Sequence, residues 1–121
     1  MAVTNVAVVS IPVSDQERAK KFYVDALGLE LLRDDSSIPG MRWIQVAPPG
    51  GGTQLTLVTW FESMPAGSLR GLVLKVTDLQ ATYEALTARG VEFGGPPTRQ
   101  PWGIETVVHD PDGNGIVLQQ A

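Results

Sequence analysis

The strongest constraint in this sequence is an internal repeat. Val13 and Asp15 stand at the exit of a β-branched stretch, and Val76 and Asp78 stand at the same kind of exit 63 positions later. Gly28 and Gly90 close the amphipathic segments that follow, at an offset of 62, and Pro48 with Gly50 matches Pro111 with Gly113 at 63. Self-similarity over half the chain means two copies of one supersecondary unit. Neither copy buries both faces of a sheet alone, so the copies must pair, within one chain or between two.

Each copy reads as strand, helix and three strands. In the first, the apolar stretch 6–13 predicts a buried strand, and Ser14-Asp15 supplies a helix N-cap. Ala19, Phe22, Tyr23 and Ala26 recur at spacings of three and four, which predicts a helix with one apolar face, and Gly28 offers its C-cap. Strands are expected at 29–32, 41–47 and 53–60, with Pro48-Pro49-Gly50-Gly51-Gly52 as the turn between the last two. The second copy predicts strands at 72–76, 91–93, 104–108 and 116–119. Its helix carries Leu79, Tyr83, Leu86 and Ala88 on the apolar positions and is capped at Gly90. Residues 62–69 have linker composition, so one domain is expected, 1–121, with modules over about 1–61 and 70–121. The fold class is α+β, two tandem βαβββ modules.

Composition narrows the chemistry. Of 121 residues none is cysteine and a single one, His109, is histidine. Disulfides, thiolate nucleophiles and sulfur-ligated zinc or iron–sulfur sites are therefore excluded. Thirteen acidic against nine basic side chains, a net charge of −4, argue against a nucleic-acid groove or an anionic membrane surface. No run of about 18 apolar residues is present to span a bilayer. The opening MAVTNVAVVSIPV has no basic region and reaches Ser10 and Pro12 too soon for a signal peptide, so a cytoplasmic protein is expected.

Val13-Ser14-Asp15 leading to Phe22-Tyr23 and Leu27-Gly28-Leu29, then Val76-Thr77-Asp78, Ala88-Arg89-Gly90-Val91 and Asp110-Pro111-Asp112-Gly113-Asn114, carry a resemblance. The chain resembles the vicinal oxygen chelate superfamily, which includes glyoxalase I, extradiol dioxygenases and bleomycin-resistance proteins. The resemblance covers essentially the whole chain. It implies two βαβββ modules curling into half-barrels around a cavity, usually in a homodimer with two equivalent sites.

It also implies where a metal would sit. Metal-dependent members carry a ligand, usually histidine, seven residues before the aspartate at the first strand's exit. That position is Val8 here, and Gly71 in the second module. The last-strand ligands, normally carboxylates, fall at Val117 and at about Thr56. Valine and glycine offer no donor atom, and a threonine hydroxyl is a poor sole ligand, so no metal and no cofactor are expected. His109 lies at a strand end with no triad partner in the sequence and reads as a surface or supporting residue. Asp110-Pro111-Asp112-Gly113-Asn114 lacks the further acidic positions of a calcium loop and reads as a tight turn.

Period-two alternation then sorts the strands. Val9, Ile11 and Val13 face the helix, leaving Val8, Ser10 and Pro12 on the cavity side. Leu55 and Leu57 do likewise, leaving Gln54, Thr56, Val58 and Trp60. In the second module Leu72, Leu74 and Val76 pack inward, leaving Gly71, Val73 and Lys75, and the last strand offers Gly115, Val117 and Gln119. Such a lining, small and apolar with a few hydroxyls and amides, suits a ligand oriented by few polar contacts. Trp43, Trp60 and Trp102 add large flat faces, with Phe61 beside Trp60. The expected ligand-binding set is Ser10, Trp43, Gln45, Thr56, Val58, Trp60, Phe61, Lys75, Trp102 and Val117, with no catalytic residue. Lys75 and Arg42 offer charge for an anionic group, although solvated surface charge is the commoner fate.

The reading that follows is a metal-independent binding protein of the bleomycin-resistance type. It would be a cytoplasmic homodimer that sequesters a hydrophobic or aromatic natural product, such as a glycopeptide or enediyne antibiotic, without altering it. The alternative is a metal-dependent glyoxalase- or dioxygenase-type enzyme with shifted ligands, for example Glu105 with His109 from one chain and a carboxylate from a partner chain. A third reading is an interaction module with a vestigial pocket.

Overall fold

The computed structural model describes residues 2–121. They form two compact units that divide between Pro65 and Ala66. The first unit contains β1 (Val8–Pro12), α1 (Gln16–Lys21, continued by a wider turn over Phe22–Ala26), β2 (Glu30–Ile38), β3 (Met41–Ala47) and β4 (Gln54–Val58). The second contains β5 (Leu72–Val76), α2 (Leu79–Ala88), β6 (Thr98–Gln100), β7 (Gly103–His109) and β8 (Gly115–Gln120). Each is a four-stranded mixed sheet, ordered β1-β4-β3-β2 and β5-β8-β7-β6, in which the first strand runs parallel to the last and the other pairs are antiparallel. The expected α+β fold of two βαβββ modules is what the chain adopts.

The strand order explains the core. In each sheet the first and second strands lie at opposite edges, so the connection between them crosses the whole sheet. An amphipathic helix makes that crossing and covers one sheet face. In the first unit Ile11, Ile44, Val46, Leu55 and Leu57 are closed to solvent, with Ala19, Phe22 and Tyr23 from the helical segment. Both helices start on the matched aspartates. The Asp15 carboxylate accepts from Arg18 N–H at 3.0 Å and the Asp78 carboxylate from Ala81 N–H at 3.1 Å. Each satisfies a backbone donor the helix leaves unpaired. Gly28 and Gly90 then turn the chain at φ +74° and +85°, where a side chain would be strained.

Three expectations need correction. The first helix is not uniform: from Phe22 it widens, with Leu27 N–H reaching Phe22 O at 3.0 Å. The wider turn seats two consecutive rings, Phe22 and Tyr23, inward and edge-to-face at 5.0 Å. Next, β2 runs on to Ile38 instead of ending at Leu32. Its polar half, Arg33 to Ser37, shows no apolar alternation because it lies at the sheet edge and is held by pairing with β3 through a Pro39-Gly40 hairpin, Ile38 opposite Met41. Gly40 sits at φ +75°, and the register shifts twice along the pair. Last, 91–93 is not a strand. Phe93 makes one bridge to Val108 and packs edge-to-face on Tyr83 of α2 at 4.9 Å. Gly94-Gly95-Pro96-Pro97 then interrupts the ladder, two of its residues having no N–H, and pairing resumes in β6.

The second unit's last turn is laced by side chains. Asp110 Oδ1 accepts from the N–H groups of Asp112 and Asn114, both at 2.9 Å. Asn114 Nδ2 donates to Asp110 Oδ2 at 2.7 Å, and Asn114 Oδ1 accepts from Leu69 N–H at 2.9 Å. Both carboxylate oxygens serve the turn, as a turn rather than a calcium loop requires. Gly67 lies so close that a Cβ there would stand 2.2 Å from Asp112 O. Within the stretch expected as linker, Gly67 and Leu69 are thus held against this turn.

Candidate functional site

In the first unit, pairing brings the expected residues onto the sheet face away from the helix. The register sets Ser10 beside Thr56 and Thr56 beside Gln45, with Val8 beside Gln54 and Pro12 beside Val58 in the neighbouring rows. Ser10 Oγ and Thr56 Oγ1 share a hydrogen bond of 3.2 Å. Trp43 lies two residues from Gln45 and therefore on the same face; its Nε1–H donates to Gln45 Oε1 at 2.7 Å, and Gln45 Nε2 donates to Gln54 Oε1. Trp60, just beyond the end of β4, stacks with Trp43 at a centroid distance of 6.1 Å and 22° between planes, and Phe61 tilts against Trp60 at 6.4 Å. Thr56 and Val58 are closed to solvent, whereas Trp43, Gln45, Gln54 and Trp60 remain partly open and Phe61 is exposed.

Beside Trp43 lies a cavity of about 310 Å³, lined by Arg33, Asp35, Ser37, Ile38, Met41 and Trp43. Of these only Trp43 was among the expected ligand-binding residues; Arg33, Asp35, Ser37 and Ile38 were missed because β2 was expected to end at Leu32, and Met41, though expected in β3, was not assigned to the site. The Pro39-Gly40 turn was the available signal, since a two-residue hairpin obliges the residues before it to pair with Met41 onward. Asp35 lies opposite Trp43. Its carboxylate accepts from Ser37 N–H at 2.8 Å and pairs with Arg33 at 3.1 Å. The Ser37 backbone first, then the Ser37 hydroxyl and Arg33, hold its carboxyl below the usual carboxylate range. The cavity wall thus carries a self-neutralised ion pair beside an apolar floor of Ile38, Met41 and Trp43.

Arg42 points to the other side. It binds Asp34 at 2.7 Å and Glu17 at 2.8 Å, while Lys20 reaches Asp34 at 2.9 Å. The Arg42 guanidinium first, with Lys20, holds the Asp34 carboxyl far below the usual range. Gln16 Nε2 bonds both Arg42 O at 2.7 Å and Leu57 O at 2.8 Å, tying the start of α1 across β3 and β4. Arg42 therefore clamps the helix to the sheet.

Lys75, Trp102 and Val117 belong to the second unit. Val117 lies between Val73 and Val107 in one row, and Gln119 between Lys75 and Glu105 in the next. Lys75 is exposed. Trp102 is 67% exposed, and its Nε1–H donates to Glu105 Oε1 at 2.7 Å; Gln119 Nε2 reaches the same oxygen at 3.4 Å. An open groove of about 320 Å³ lies along Gly94, Gly95, Pro96, Thr98, Gln100, Glu105, Thr106 and Val107.

The four positions where the resemblance would put a metal do not suit one. Val8, Gly71 and Val117 present no donor, and Thr56 Oγ1 is already bonded to Ser10. Glu105 and His109 stand four residues apart on β7, about 13 Å along an extended strand, too far to share a cation. Among the described residues no group of three or more His, Cys, Asp or Glu is placed to hold a metal ion. Nor is any helix among them long and apolar enough to cross a membrane.

Comparison with known proteins agrees with this fold. The chain is similar over 99% of its length, at 51% identity and a TM-score of 0.91, to TnmS3, an antibiotic binding protein from Streptomyces sp. CB03234, 98% of which is covered. It is 41% identical, with a TM-score of 0.89 and 98% of each chain covered, to a glyoxalase/bleomycin resistance protein/dioxygenase superfamily member from Sphaerobacter thermophilus DSM 20745. The uncharacterized protein YetH of Bacillus subtilis (strain 168) is 32% identical over 98% of this chain and 99% of its own. Residues 5–118 match the model of one family, and the chain belongs to the Glyoxalase/Bleomycin resistance protein/Dioxygenase superfamily.

Proposed function

We propose that this protein binds a hydrophobic or aromatic natural product of the antibiotic type and holds it unmodified, without a metal. The observation that carries this reading is the Trp43–Trp60 stack, partly open to solvent, with a cavity of about 310 Å³ beside Trp43. Rigid aromatic walls with a few fixed polar groups are what a flat, poorly soluble ligand needs. The likeness to an antibiotic binding protein at 51% identity supports the same reading. Val8, Gly71, Thr56 and Val117 supply no ligand set, which favours sequestration over metal-assisted turnover. In this reading the protein acts in the cytoplasm as a homodimer. The sheet-edge positions of β1 and β5, with Val8 36% and Val73 48% exposed, support self-association.

Titration against glycopeptide and enediyne antibiotics, followed by tryptophan emission, tests the proposal. Binding should quench the signal at stoichiometric ligand, and mass spectrometry should recover the compound unchanged. Recovery of a converted product, or a stoichiometric transition metal in protein purified without chelator, would reverse the reading toward an enzyme.

A further inference from the structure

Every residue lining the cavity beside Trp43 comes from one hairpin, β2 with β3. Packing holds that hairpin weakly: no residue of β2 is buried, and the strand lies at the sheet edge. A strand without buried apolar side chains has little to fix its position. Its pairing is interrupted as well. Asp35 lies opposite Trp43 and Ile38 opposite Met41, so Ser36 and Ser37 together face the single residue Arg42. Such a bulge bends the strand and breaks the ladder at the cavity wall.

Arg42 braces this bulge from the far side. Along β2 the cavity residues Arg33, Asp35 and Ser37 flank Asp34, and along β3 Met41 and Trp43 flank Arg42. Alternation turns Asp34 and Arg42 away from the cavity, toward α1. There Arg42 takes both carboxylate oxygens of Asp34, through Nε at 2.8 Å and Nη2 at 2.7 Å. The same Nη2 reaches Glu17 at 2.8 Å, and Lys20 donates to Asp34 at 2.9 Å. Gln16 Nε2 donates to the Arg42 carbonyl at 2.7 Å, so α1 grips this residue by backbone and side chain. Isolated surface ion pairs contribute little, but a forked contact inside a charge network constrains geometry. This one fixes β2 relative to β3 where the ladder does not.

Resting on the reading of this cavity as the ligand site, we propose that Arg42 and Asp34 are positioning residues for binding. Neither touches the ligand. Their contact holds the bulged hairpin in the shape that admits it, and losing the contact weakens binding without unfolding the chain.

Acridone, a neutral fluorescent three-ring compound, serves as the probe, with anisotropy read well below the melting transition. D34A and R42M should each weaken wild-type binding about fivefold, and the double variant about fivefold as well, because all three lose one contact. Amide exchange supplies a reading that needs no ligand. Ser37 N–H, in the bulge, should exchange about tenfold faster in both variants, while Leu57 N–H in β4 stays unchanged. D78A, which removes the α2 cap in the second unit, controls for stability alone and should leave affinity unchanged. D34A leaves Arg42 its contact with Glu17, so it carries the test where R42M does not fold. Unchanged affinity in D34A, with acridone bound by the wild type, overturns the inference and leaves the clamp purely structural. An equal loss in D78A overturns it too, as does a roughly 25-fold loss in the double variant, which would mean two separate effects. Failure of the wild type to bind acridone overturns this inference together with the aromatic-ligand reading it rests on.

Discussion

The two modules share one scaffold and line it differently. In the first, the row across the face away from the helix reads Ser10, Thr56, Gln45; in the second, the matching row reads Val73, Val117, Val107. Where the first has Trp43 the second has Glu105, and where the first turns through a run of glycines at 50–52 the second has a turn laced by Asp110 and Asn114. On the other face the two agree, because Ile44, Val46, Leu55 and Leu57 in one and Val108, Ile116 and Leu118 in the other each fill their own module's core under its helix. Packing constrains the helix side in both copies. The other side is free to diverge, and there the first module carries aromatic and amide groups where the second carries valines and a glutamate.

The largest contrast lies in the turns. Asn114→Ala removes a fully buried side chain that serves Leu69 N–H and Asp110. It should cost about 3 kcal/mol and lower Tm by roughly 10 °C or more. Pro49→Ala, in the first module's turn, should stay within about 0.5 kcal/mol by denaturant titration. Equal costs would mean that both turns carry comparable structure.

The tryptophans come next. Trp43→Ala should weaken binding of an aromatic ligand about tenfold, and Trp102→Ala by less than about twofold, with dialysis as the readout. A similar loss at Trp102 would give the second module an equal share in the site.

A smaller effect separates the charged rim from the face it frames. Asp34, with 23% of its side chain exposed, has a depressed carboxyl pKa in the folded protein. Its contribution is therefore present above the unfolded value near 4 and is lost as pH falls below it. Thermal melts from pH 6 to pH 2.5 should show the wild type losing about 1 kcal/mol relative to Asp34→Asn. Parallel pH profiles for the two proteins would remove Asp34 from the helix clamp.

The smallest change rewrites the first module's row in the second's chemistry. Ser10→Ala with Thr56→Val removes both hydroxyls of one hydrogen bond together, and the melt should move by no more than about 0.5 kcal/mol. A loss above about 2 kcal/mol would show that the hydroxyl pair holds the sheet rather than furnishing the face.

Much of this was legible in the residues. β3 and β5 begin and end where the apolar pattern does, because turn residues or polar caps bound them on both sides. The row Ser10, Thr56, Gln45 and its neighbour Trp43 follows from period-two alternation once the strands are placed. The outer half of β2 was not legible, since Arg33 to Ser37 owes its strand to the pairing of β3 and not to any pattern of its own. With it went Arg33, Asp35, Ser37 and Ile38 of the cavity. The strand expected at 91–93 failed for the opposite reason: its residues suit a strand, but the glycine–proline run after them removes the donors a ladder needs.

The sequence by itself determined the repeat, the two capped helices, the buried faces and the absence of donor atoms at Val8, Gly71 and Val117, because each of these is a matter of local pattern or side-chain chemistry. Only the tertiary structure decided which partly open groups touch. It stacked Trp60 on Trp43, aligned the amides of Gln45 and Gln54, drew Arg42 away to Asp34 and Glu17, and set the polar edge of β2 around a cavity. Most of those contacts run from one element to another, and strand register, not sequence spacing, fixes them.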